Sequence, residues 1–194
     1  MADTAKPSIQ PTLPKNQSFP TSVIKVGAVL YRAISYVDEG KTVTGFEEWV
    51  VRTIRARRNS SMWLGRDVKK MGWDIPKMVN LVEKSAVTWG KLSSKTGDYG
   101  WRKYIPQSSR KQFTVGADLP WGFYTTKLAA LKFQIALQKR DLVWHENQLS
   151  VETDSEEIAE LTSDKADVIA QIAALSRRMK ALSKPKPTMT GSLR

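Results

Sequence analysis

The side chains best placed for chemistry are basic. Arg52, Arg55, Arg57 and Arg58 crowd the stretch RTIRARRN, and Lys69 and Lys70 follow as a pair. Farther along, GDYGWRKY places Tyr99 and Trp101 beside Arg102 and Lys103, and Arg110 and Lys111 close the same region. Between residues 50 and 111 there are 15 basic side chains and four acidic ones, whereas residues 125–194 hold 11 and nine. The net charge of +12 is therefore concentrated in the middle of the chain. Concentrating like charge costs self-repulsion, which a polyanionic partner would relieve. Interleaved with and just following these charges are Trp63, Trp73, Trp89, Tyr104, Phe113, Trp121, Phe123 and Tyr124 besides Tyr99 and Trp101. Lys and Arg can follow phosphates while exposed rings stack on bases. Twelve residues thus form the candidate nucleic-acid site: Arg52, Arg55, Arg57, Arg58, Lys69, Lys70, Tyr99, Trp101, Arg102, Lys103, Arg110 and Lys111. Core packing is the competing role for each ring, and protection of a sheet edge is the competing role for the arginines.

Other chemistries fail on residue types. There is no cysteine, so disulfides, thiolate nucleophiles and thiolate-bound metals are excluded. The single histidine, His145, leaves no histidine pair for a metal. With Glu146 it forms the one imaginable acid–base pair, but it lies in a helical pattern with no nucleophile in view, where packing is the commoner role. Gly40-Lys41-Thr42 looks like the end of a phosphate loop, but Ser35 stands where its first glycine belongs and no helix pattern follows. Asp154, Glu156, Glu157 and Glu160 cluster at the start of a helical stretch and Arg177, Arg178 and Lys180 near its end, as the helix dipole favours. The reading is of a non-enzymatic protein without metal or cofactor.

The elements that must position the basic residues follow from periodicity. Residues 1–21 hold four prolines among polar residues and read as a flexible or partner-ordered arm. From Ser22 the pattern has period two, with Ile24, Val26, Ala28, Leu30, Ile34 and Tyr36 on one face of a strand. Asp38-Glu39-Gly40 supplies a turn, and TVTGFEEWVVRTIRARR returns as a second strand. A helix over Phe46–Arg57 is the alternative, since that stretch also fits a period near 3.6. If it is a strand, simple alternation places Arg55 and Arg57 on one face and Arg52 and Arg58 on the other. MVNLVEK, AVTWGKL, YGWRKYI and QFTV read as further short strands between glycines and prolines, with a short helix at Asp67–Met71.

Glycine and proline vanish from Thr125 to Pro185, and the period becomes helical. Leu128, Leu131, Ile135, Gln138, Leu142, His145 and Leu149 form one seam. Ile158, Leu161, Lys165, Val168, Ile172, Leu175, Met179 and Leu182 form another, capped by Asp154 and Glu157. The expected fold class is α+β: a small antiparallel β-sheet or partly closed barrel at 22–124, then a long antiparallel coiled-coil helical hairpin at 125–183. A basic tail covers 184–194.

The chain lacks both the apolar run of a signal peptide and about 18 apolar residues in a row, so no membrane partner and a cytoplasmic, intracellular location are expected. Two functions fit. The first is a nucleic-acid-binding accessory protein for DNA or RNA, whose helical hairpin binds a protein partner or itself. The second is a structural assembly component of a viral or phage particle, in host cytoplasm or virion, or of a large ribonucleoprotein.

Overall fold

The structure is a computed structural model that describes residues 12–56, 62–63, 66–67, 76–86, 89–91, 99–101 and 105–183. The elements run β1 (Val29–Asp38), β2 (Lys41–Ala56), β3 (Met62–Trp63), β4 (Arg66–Asp67), β5 (Lys77–Glu83), β6 (Trp89–Lys91), β7 (Tyr99–Trp101), β8 (Arg110–Thr114), α1 (Lys127–Leu149) and α2 (Ser155–Ser183). A curled four-stranded antiparallel sheet of order β1-β2-β5-β8 precedes a helical hairpin, so the expected α+β class holds. Strand pairs β3–β4 and β6–β7 form two separate two-stranded sheets. The region 46–56 is strand and not helix: residues 49–56 pair antiparallel with β5, and the Val, Trp, Thr and Ile content of the stretch favours that conformation.

The chain divides into two compact units. One holds Lys15–Arg32 and Phe46–Ala130; the other holds Ala33–Gly45 and the helices from residue 131. The first unit buries Ile24, Leu30, Trp49, Val51, Val79, Leu81, Phe113, Leu119 and Phe123 in one cluster. Trp49 meets Phe123 edge-on at 5.6 Å, and its ring nitrogen donates to Glu47 at 3.0 Å. Glu48 accepts from Lys127 and Lys84, both at 2.7 Å, which lowers the pKa of its carboxyl from the ordinary value. From Lys15 on, the segment read as an arm is anchored in this unit. Gln17 bonds Thr125 through both its amide groups, Phe19 packs on Phe113, and the Lys15 carbonyl accepts from the Tyr124 hydroxyl.

The first strand starts later than its period suggests. Residues 20–27 turn instead, closed by Val23 and Ile24 amides on the Pro20 carbonyl. Gly27 stands at φ +89° with its amide on the Val51 carbonyl, a backbone geometry that other residues avoid. Ile24 is still buried, but from a turn, and Val26 is exposed. Within β1 the buried residues are Leu30 and Ala33, three apart, and Tyr36 is exposed. The strand therefore does not keep one apolar face along its length.

In the second unit, Asp154 caps α2 by accepting from the Glu156 and Glu157 amides. At the start of α1, Thr126 accepts from the Ala129 amide. Leu131, Ile135, Gln138, Val168 and Leu175 are buried seam members. Of the three polar residues in the seam, Gln138 donates to Ser35 and Lys165 pairs with Glu146 at 3.3 Å, whereas the third, His145, leaves its Nδ1 buried without a hydrogen-bond partner. Leu182 is exposed, so the buried seam stops short of the last expected position. Phe133, off the seam, is also buried, which gives α1 a wider apolar face than a two-position repeat provides. Asp67 belongs to β4 and not to the expected short helix, whose remaining residues lie outside those described.

Candidate nucleic-acid interface

The basic site is built on three adjacent strands, with β5 between β2 and β8. Register pairs Val51 with Leu81 but Thr53 with Asn80, so Arg52 is an extra residue, a β-bulge. The bulge shifts the alternation by one. Val51 and Ile54 join the core side, while Arg52 and Arg55, three residues apart, line one cavity on the other face. Strict alternation places these two arginines on opposite faces. The correction comes from the bulge, which hydrophobic period alone does not reveal.

That cavity, of about 340 Å³, is lined by Arg52, Thr53, Arg55, Asn80, Leu81, Val82, Arg110, Lys111 and Gln112. Four basic residues and no carboxylate line it. Its floor is a polar row in register across three strands: Thr53 opposite Asn80, and Asn80 opposite Gln112. The Asn80 amide donates to the Thr53 hydroxyl at 3.0 Å, and Gln112 donates to the Asn80 carbonyl oxygen at 2.7 Å. These bonds fix the amide orientations, so the floor presents a defined polar pattern beside the cations.

The four cations are not equivalent. Arg52 and Arg55 are exposed and have no hydrogen-bond or ion-pair partner among the described residues. Arg110 donates to the Ile105 carbonyl. Lys111 lies opposite Leu81 in register, and its ammonium sits 5.5 Å over the Trp49 ring. The two arginines of β2 are thus the groups freest to meet an anion; Arg110 borders them with its charge partly engaged, and Lys111 turns its ammonium to the Trp49 side. Sequence reasoning misses the intervening polar row, Thr53, Asn80 and Gln112. An uncharged residue in each of three strands carries no signal until the register is known.

The remaining candidates divide in two. Arg57, Arg58, Lys69, Lys70, Arg102 and Lys103 lie outside the described residues. Tyr99 and Trp101 fall in β7, paired with Lys91 and Trp89 across a short ladder. Among the other rings, Phe113, Phe123 and Tyr124 are buried and serve the core, while Trp121 is half exposed. Trp49, outside the basic aromatic region read from sequence, is a core residue at 3% exposure.

His145 lies in the second unit and meets the neighbouring Trp144 ring edge-on at 4.8 Å. Its Nδ1 is buried without a hydrogen-bond partner, as is Gln171 Oε1, and both residues line a cavity of about 460 Å³ with Asp141, Asp164 and Asp167. Among the described residues no three His, Asp or Glu side chains are placed to hold one metal ion, and no helix there is long and apolar enough to cross a membrane. Comparison with known proteins finds no family model, curated protein or solved structure that matches the chain.

Proposed function

We propose that this chain is a non-enzymatic nucleic-acid-binding protein whose contact surface is the β2–β5–β8 face. One observation carries the reading: a bulge brings Arg52 and Arg55 onto a carboxylate-free cavity that also receives Arg110 from a strand more than fifty residues away. Two unengaged guanidiniums beside a fixed polar floor suit phosphate oxygens, which guanidinium groups meet with paired N–H donors. The helical hairpin would then serve a protein partner or a second copy.

The test is the salt dependence of binding. Replacing Arg52 and Arg55 with Gln should weaken DNA or RNA binding and flatten the log–log salt slope. The slope should fall by about 0.7–0.9 for each phosphate that the variant no longer neutralises. An unchanged slope in the double variant would place binding elsewhere on the chain.

A further inference from the structure

A second cavity adjoins the basic one and differs from it in chemistry. It measures about 450 Å³, inside the range of about 300–1,000 Å³ typical of small-ligand pockets. Its apolar wall is formed by Val26 and Val50 with Gly27 beside them, backed by the buried Val51 and Val82. Arg52 and Val82 line both cavities, so the apolar space opens directly beside the bulged arginine. Val26 is 62% exposed, which leaves an apolar wall facing water at the mouth of the pocket. The other cation at the rim, Lys84, is held by Glu48 at 2.7 Å, so Arg52 is the unengaged charge at the junction.

We infer that this valine-lined pocket receives an unpaired base of a single-stranded nucleic acid while Arg52 holds the adjoining phosphate. The inference rests on the polyanion reading of the neighbouring cavity and adds the class of nucleic acid. A nucleotide is an apolar, flat base joined to a charged phosphate. The site offers the same pair of environments, an apolar cleft and an unengaged guanidinium, shared through one residue. A free phosphate or an acidic peptide would use the charged cavity and leave Val26 and Val50 wet. A duplex keeps its bases stacked and could reach only the charged half. Gly27 keeps the wall thin at one side, since no side chain projects there.

The experiment compares four ligands of equal length on the full chain: oligothymidylate, oligouridylate, an abasic deoxyribose-phosphate oligomer and a DNA duplex. The tighter of the two single strands should exceed the abasic oligomer on the order of tenfold, equivalent to about 1.4 kcal/mol from burying one base face. It should also exceed the duplex. A Val26→Ala/Val50→Thr double variant, which keeps a β-branched residue in β2, should shrink that preference severalfold and leave abasic binding unchanged.

Equal binding of base-bearing and abasic strands would overturn the base pocket while leaving the polyanion reading intact. So would a duplex that binds more tightly than either single strand. A preference that survives in the double variant would put the base elsewhere and overturn the assignment. Failure of all four ligands to bind would overturn the pocket and the polyanion reading together.

Discussion

Asp141 on α1 loses hydration by partial burial, which raises its pKa above the ordinary carboxylate value, and the charges of Arg140 and His145 only partly oppose that rise. Because the folded pKa lies above the unfolded one, the ionised form costs stability. That cost is absent below the unfolded value, near about 3.9, and complete once pH exceeds the folded value. Asp141→Asn should therefore melt higher than the parent at neutral pH, with the gain fading as pH falls through the folded pKa. Melting temperatures across that range measure it, and a variant less stable at pH 7 would contradict the account. A second single-residue effect sits in the β1–β2 turn, where Glu39 and Gly40 both have positive φ, 47° and 72°. A glycine takes this conformation freely, but a glutamate does so at a cost of roughly 1–2 kcal/mol. Asn-Gly suits such a two-residue turn better. Glu39→Asn should raise stability by about 0.5–1 kcal/mol in denaturant melts, where the change recovers part of the cost of a left-handed residue. No gain would mean that the turn is not strained by its glutamate.

Leu175 on α2 shows how much of an element is legible from spacing. It stands at a three–four spaced position, which alone assigns it to the seam, and it is fully buried. Leu175→Ala should cost about 2–5 kcal/mol, measured as a fall in melting temperature and a weaker helical circular dichroism signal. A change below about 0.5 kcal/mol would remove the seam from the account. Helix spacing is informative because every third or fourth residue must meet the same partner for several turns. Strands β1 and β2 are legible as strands but not in which way their residues face. Leu30 and Ala33 are both buried at odd separation, and the bulge at Arg52 inverts the alternation after Val51. A one-residue insertion leaves composition unchanged yet reverses every later side chain. Hence the arginine cluster can be recognised in the sequence, whereas its correct grouping, Arg52 with Arg55, requires the register with β5.

At the level of the whole molecule, two explanations of polyanion binding compete, the general field of a chain with net charge +12 and a local site. The field acts through all charges and is screened over about 10 Å at moderate salt. A site acts through the few cations that touch phosphate and displace its counterions. The long-range grouping of the site is invisible in the sequence because Arg110 meets Arg52 and Arg55 only through β5, and strand order is not written in local pattern. The high density of charge at 50–111 is visible there, but charge density alone fits either explanation. Two variants of equal net charge separate them. Lys132 and Lys139 are exposed on α1 and carry no partner among the described residues. Changing both to Gln lowers the net charge from +12 to +10, as does changing Arg52 and Arg55. If the field governs binding, the two double variants should bind more weakly to the same degree, with salt slopes close to the parent in both. If the β2–β5–β8 face governs it, the α1 variant should keep the parent slope and nearly all its affinity. The arginine variant alone should then show a slope smaller by about 1.4–1.8, the sum for two phosphates left without a cation. Binding isotherms over one salt series on all three proteins decide the matter, and equal weakening in the two variants would rule out the local site.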